Sequence, residues 1–194
     1  ILDRRGHVLA YSVDAESIYA VPSDIEQPER VVAAVCGALE DCTAKDRQQL
    51  LERFGLQRAF VYVRRQVTPE QARRVKALEL EGIGFMKESR RFYPNKELAA
   101  HLIGYVGIDN NGLHGIESAY DTLIKGKPGA VLIQTDARRR AFSRLERPPT
   151  TGADLELTID QYLQHIAERE LKAGVEASGA EGGAAVVMDP RTGE

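Results

Sequence analysis

Residues 90–129 read RRFYPNKELAAHLIGYVGIDNNGLHGIESAYDTLIKGKPG. Glycines, buried-type aliphatics and isolated charges follow one another here in short elements, and their reading decides the fold. The ring of Pro94 keeps Tyr93 extended, and Asn95 suits the cap of a short helical turn over 96–100. His101 to Val106 is apolar at nearly every position except His101, which predicts a strand buried on both faces, with Gly104 at a close approach. Residues 108–115 predict a loop with Gly112 and Gly115 at positive φ. Beyond Gly115, the residues Ile116, Ala119, Tyr120, Leu123 and Ile124 fall at helical spacing, predicting one helix with a single core-facing stripe. Gly126 and Gly129 close it around Pro128. Glu117 lies in its first turn, where the helix dipole favours a carboxylate that can also meet an upstream arginine.

The same stretch carries the ordered pattern R-x-Y-P (Arg91, Tyr93, Pro94), A-A-H-x-x-G-Y-V-G (Ala99, Ala100, His101, Gly104, Tyr105, Val106, Gly107) and G-x-x-G-I-E-x-x-Y-D (Gly112, Gly115, Ile116, Glu117, Tyr120, Asp121). That pattern resembles the non-catalytic region of class B penicillin-binding proteins. The opening residues Ile1 to Ala10 predict a hairpin with Gly6 at its tight position. They are similar to the I-x-D-R-N-G-x-x-L-A motif of the same family, through Ile1, Asp3, Arg4, Gly6, Leu9 and Ala10, with Arg5 in place of the usual Asn.

Between these motifs, Ser17 to Val21 predicts a strand stopped by Pro22. Pro28 opens a well-buried helix to Leu39. Thr43 with Asp46 starts another over Lys45 to Phe54, ending before Gly55. A strand over Phe60 to Val67, a helix from Pro69 to about Leu80 begun by Thr68 and Gln71, and a strand over Phe85 to Phe92 form a βαβ unit. Cys36 and Cys42 are too few and too close for a disulfide framework, and Cys36 is expected as a small buried side chain on its helix.

After Gly129, residues 130–135 and 141–145 predict a second hairpin with a basic tip over 136–140. Arg147 to Gly152 is proline-rich and marks a boundary. Residues 154–159 alternate as a strand. Thr158 with Gln161 is expected to cap a helix whose apolar face is Leu163, Ile166, Ala167, Leu171, Gly174 and Val175. Ala184 to Met188 predicts an apolar strand followed by a turn at 189–193, so a partner strand is expected beyond Glu194. The runs L-T-I-D-x-x-L-Q-x-x-A-E (Leu157 to Asp160 with Leu163, Gln164, Ala167 and Glu168) and V-V-M-D-P-x-T-G-E are similar to the beginning of the penicillin-binding transpeptidase domain. The resemblance favours the division-associated branch over the elongation branch.

Transpeptidase chemistry in that family requires S-x-x-K with S-x-N and K-T-G. No serine of this chain has Lys three positions on, none is followed by Asn at the second position, and the nearest to K-T-G is Arg191-Thr192-Gly193. No catalytic residue and no covalent penicillin binding are therefore expected of these residues. The four histidines lack metal-ligand spacing, and no metal or cofactor is expected. A net charge of −3 argues against nucleic acid as a partner, despite clusters such as Arg138-Arg139-Arg140. No apolar run approaches the ~18 residues of a membrane span. Glu117 and Asp121, four apart on one predicted face, leave a small carboxylate hydrolase as the alternative.

The expected fold class is α+β: an elongated pedestal of short β-segments and helices with a small βαβ head, plus the first strand-helix-strand of a truncated transpeptidase domain. The expected domains are residues 1–147 for the pedestal, including a head over about 22–90, then a linker at 148–153 and the start of the transpeptidase domain at 154–194. Asp3, Arg4, Gly6, Arg91, Tyr93, Pro94, His101, Gly104, Gly115, Glu117, Tyr120 and Asp121 are the expected structural and motif residues, with Asp3 or Arg4 and Arg91 converging on Glu117. The resemblance implies an extracytoplasmic location under an N-terminal membrane anchor. The partners it implies are cell-wall or division proteins such as a glycosyltransferase, or a second copy of the chain.

Overall fold

A computed structural model describes residues 1–56, 58–127, 129–135 and 141–193, with 130–135 and 141–146 described by their backbone. The chain divides into two compact units, one of Ser12–Arg90 and one of Ile1–Tyr11 with Arg91–Glu194.

The Ser12–Arg90 unit is a small sheet covered by helices. Strand β1 (Tyr11–Ala20) lies between β2 (Val61–Val67) and β3 (Ile83–Phe92), so the two strands joined by α3 (Pro69–Lys76) are split by a third. β1 and β2 are antiparallel, with register shifts on either side of Ile18. At the first of these the buried Ser17 hydroxyl accepts the Gln66 N–H at 2.9 Å, satisfying a donor that the bulge takes out of the ladder. Helix α1 (Pro28–Leu39) begins with Pro28, whose fixed φ suits a first helical position. It packs on α2 (Ala44–Gly55) and α3. Val35 and Leu39 are each 1% exposed, and burying such side chains contributes about 1.5–3 kcal/mol apiece. Both expected capping boxes form, Thr43 with Asp46 and Thr68 with Gln71. α3 stops at Lys76, short of the Leu80 limit read from periodicity.

Cys36 is buried on α1 as expected, but the closeness of the two cysteines does not keep them apart. Cys36 is bonded to Cys42 across a Cα–Cα distance of 5.2 Å, and the bridge joins the end of α1 to the residue before the α2 cap. Glu40, in the left-handed conformation, ends α1 and turns the chain back, bringing the two sulfurs together over six residues. Sequence spacing does not reveal such a turn at a glutamate.

In the other unit, the opening hairpin forms through the Leu2–Val8 bridge, and Leu2 also bridges Glu156 in parallel. Residues 154–159 thus add to the hairpin's edge. Ile1, Leu9, Ala10, Ala99 and Ile103 make the core, with Ile116, Leu155, Leu157 and Ile159 packed against it.

Several elements depart from the periodic reading. His101 to Val106 is no strand: α4 (Ala100–Ile103) is one helical turn, ended at Gly104, and only Val106 bridges, to Gly112. Ala99 and Ile103, four apart, both face the core, a helical spacing that a short apolar run does not distinguish from a strand. The helix after Gly115 is broken at Tyr120 into α5 (Gly115–Ala119) and α6 (Asp121–Ile124). Ile116 and Ile124 reach the core, whereas Tyr120 and Leu123 are exposed. Strands β4 (Ala130–Thr135) and β5 (Ala141–Arg147) pair antiparallel, as expected. The basic tip at 136–140, Arg138, Arg139 and Arg140 included, lies outside the described residues, as does Pro128.

Helix α7 (Gln161–Ser178) is capped by Asp160, whose carboxylate accepts the Tyr162 and Leu163 N–H groups, and not by Thr158. The Asp160 oxygen stands next to the first helical residue, which places it over donors that Thr158 does not reach. Residues 184–188 form no strand; Val186 and Val187 are 90% and 66% exposed. A strand needs a neighbour for its backbone groups, and an apolar sequence supplies none by itself.

Candidate functional site

Glu117, on α5, is 3% exposed, and burial of an ionised carboxylate demands a partner. Arg91, from the end of β3, donates its Nε to Glu117 Oε1 at 2.7 Å, with its own side chain 10% exposed. Tyr93 Oη donates to the same oxygen at 3.3 Å. Burial and then the Glu117 charge push the Tyr93 phenol up to about 12, because both disfavour a second anion there. Residues 91–93 and the first turn of α5 are thereby joined in a charge-assisted cluster.

A second cluster forms around Asp3, which is fully buried. Its Oδ1 accepts the Arg5 and His7 N–H groups, each at 2.8 Å, which fixes the hairpin turn. Its Oδ2 accepts the Gln161 N–H at 3.0 Å and lies 3.0 Å from His7 Nδ1. Burial alone would raise the Asp3 carboxyl, but the hydrogen bonds from Gln161, His7 and Arg5 outweigh it and hold the group well below the usual carboxylate range. Arg5, the residue standing where the family motif has Asn, places Nε 2.7 Å from Asp160 Oδ2. Gln161 Nε2 donates to Asn95 Oδ1 at 3.2 Å, and the Ala99 N–H donates to Glu168 at 2.8 Å. Three carboxylates, Asp3, Asp160 and Glu168, hold α7 to the hairpin and to the 95–99 turn.

The expected convergence is therefore divided between two places. Arg91 meets Glu117, whereas Asp3 serves the hairpin and α7, and the exposed Arg4 gives its N–H to the Ile159 carbonyl. Gly6 is at the exposed turn. Pro94 and His101 are exposed, and Tyr120 sits at the helix break. Gly104 and Gly115 lie against each other with φ of 77° and 59°, and a Cβ on Gly104 would run into the His114 carbonyl. Asp121 turns back to accept the Gly112 N–H at 2.7 Å. Glu117 and Asp121 thus serve separate partners, and the arrangement forms no open pair of carboxylates for acid–base work. Sequence reasoning did not give Arg5, His7, Asn95, Gln161, Asp160 or Glu168 these contacts, though it placed Asn95 and Gln161 at helix caps. Asp160 and Glu168 stood within a matched run, but only their contacts reveal what they hold.

The sequence pattern for the Penicillin-binding Protein dimerisation domain matches residues 1–157. The chain belongs to the penicillin-binding protein dimerisation domain family. Its relatives within class B include the probable peptidoglycan D,D-transpeptidase PenA of Neisseria gonorrhoeae, 37% identical over all of this chain and 34% of the relative. Peptidoglycan D,D-transpeptidase FtsI of Escherichia coli K12 is 36% identical over all of this chain and 34% of the relative. Stage V sporulation protein D of Bacillus subtilis is 32% identical over all of this chain and 30% of the relative. The chain spans about a third of the length of the curated relatives it matches. Among solved structures, penicillin-binding protein PBP2 of Helicobacter pylori, in complex with MreC, superposes with a TM-score of 0.69 at 22% identity, over 89% of this chain and 36% of that one. Penicillin-Binding Protein 2X of Streptococcus thermophilus gives 0.60 at 19%, over 90% and 30%. The mixed helix and strand fold of the dimerisation domain is thus shared with both.

Proposed function

We propose that this chain is the non-catalytic pedestal of a membrane-anchored peptidoglycan D,D-transpeptidase of the division-associated branch. Residues 1–147 form the pedestal, 148–153 the connection and 154–194 the beginning of the catalytic domain. The observation that carries this reading is the buried Arg91–Glu117 pair with Tyr93, which locks two family motifs into one frame without leaving a reactive group open. A frame of that kind supports a catalytic domain and presents surfaces to other proteins. The MreC complex of the Helicobacter pylori relative supports a protein partner from the cell-wall machinery, with a glycosyltransferase and a second copy of the chain as further candidates. The Cys36–Cys42 bridge supports an extracytoplasmic location, where disulfides persist.

The test is covalent labelling by a fluorescent penicillin. The full-length protein, with an S-x-x-K roughly fifty residues past Glu194 on the scale of domain sizes, is expected to label. The 194-residue chain alone is expected to stay dark. An unlabelled full-length protein, or a labelled 194-residue chain, overturns the reading.

A further inference from the structure

The amide that opens α7 is hydrogen-bonded by a residue 158 positions away. Helix N-termini leave their first N–H groups without partners inside the helix, and the cap residue ordinarily supplies one. Here Asp160 supplies two of them, to Tyr162 and Leu163. The Gln161 N–H, the outermost, goes instead to Asp3 Oδ2 at 3.0 Å. Asp3 is held by the Arg5 and His7 amides of the hairpin turn, so its carboxylate has no freedom to follow the helix. The backbone repeats the connection, since Leu2 donates to the Leu155 carbonyl at 2.8 Å and Arg4 to the Ile159 carbonyl at 3.0 Å. About two turns further along α7, Glu168 accepts the Ala99 N–H, a buried left-handed position with φ of 51°.

We propose that Asp3 is a positioning residue that fixes the direction of α7 from the opening hairpin, so that a displacement of the hairpin is transmitted to whatever α7 leads into. The proposal rests on the pedestal reading, in which α7 belongs to the beginning of the transpeptidase domain and the rest of that domain follows it. In that setting the hairpin next to the anchor and the catalytic domain share one carboxylate. A partner that shifts the hairpin alters the geometry of catalysis without touching the active site.

Gln161 is the first helical residue, and Asp160 before it is extended at φ −106° and ψ 119°. Proline is accommodated at such a position and removes only the N–H. Gln161→Pro therefore severs the tie while keeping the helix, and Gln161→Ala removes the same side chain but keeps the N–H. In the 194-residue chain, Asp3→Ala is expected to raise amide exchange in the first turn of α7 about fivefold, the factor one capping contact is worth. Exchange in α1 and α3 stays unchanged, and Asp3→Asn, whose one acceptor oxygen serves the Arg5 and His7 amides while its NH2 faces the Gln161 N–H, leaves α7 exchange raised. A uniform rise across the chain, or no rise in α7, overturns the proposal. In the full-length protein, Gln161→Pro and Asp3→Ala are each expected to slow penicillin acylation by about tenfold, the scale of a small misplacement of reacting groups. The double variant should be no slower than either, and Gln161→Ala should lose less than Gln161→Pro. Unchanged acylation in Gln161→Pro, or additive losses, refutes the coupling. A wild-type full-length protein that does not acylate at all refutes the pedestal reading instead, and the exchange arm then still decides the role of Asp3.

Discussion

Arg91 Nε lies 2.7 Å from Glu117 Oε1, with the two side chains 10% and 3% exposed. An ion pair so shielded gains little over a well-packed apolar pair, yet losing one member strands the other charge away from water. The pair therefore specifies which segments meet more than it adds to net stability. Its removal is costly all the same.

Glu117→Ala is expected to destabilise the chain by about 3–5 kcal/mol, which at this size lowers the melting midpoint by about 10 °C. Glu176→Ala, exposed near the end of α7, is expected to leave it unchanged. Calorimetry on the two variants side by side decides, and equal midpoints would remove the structural role of the pair.

Tyr93 should titrate late. Its phenol is held neutral by burial and by Glu117, up to about 12 against the ordinary value of 10. Because the folded value is raised, this contribution to stability is fully present below about pH 10 and is lost as pH rises through about 12. Ultraviolet titration of the tyrosines is expected to include a late step from Tyr93. Tyr93→Phe should abolish that step, and a titration curve identical to the wild type would refute the assignment.

The Cys36–Cys42 bridge closes a short loop between α1 and α2. In the chain-entropy view, a loop of that length contributes about 2 kcal/mol. Oxidised protein should show no thiol reactive with Ellman's reagent after denaturation. Cys36→Ser with Cys42→Ser should melt about 5 °C lower, and two reactive thiols in protein kept under oxidising conditions would count against the bridge.

Two glycines should respond in opposite directions. Gly104, at φ 77° and against the His114 carbonyl, has no room for a Cβ, so Gly104→Ala is expected to lose about 2 kcal/mol or more. Gly174, inside α7 with open space around it, should gain about 0.5–1 kcal/mol as Gly174→Ala. Urea unfolding separates the two. A stabilised Gly104→Ala would mean the turn into His114 is not as described.

The sequence by itself determined what depends on neighbouring residues. Thr43 with Asp46 and Thr68 with Gln71 carry their helix starts in four positions each, and Pro28 opens α1 through its own ring. The order of the family motifs sufficed to recognise the dimerisation domain, because composition and spacing survive without coordinates. Tertiary structure decided what depends on distant partners. The run from His101 to Val106 became a helical turn because Ala99 and Ile103 both found the core, a choice its apolar content does not encode. The predicted helix after Gly115 broke at Tyr120, leaving that residue and Leu123 in solvent. Residues 184–188, apolar enough for a strand, form none among the described residues and are exposed. Asp3 had every local reason to serve its own turn, and it does. That its second oxygen also holds Gln161 follows from the Leu2–Glu156 pairing, which brings the two ends of the motif set within hydrogen-bond reach; such a contact between residues 158 apart exists only once the chain has closed on itself.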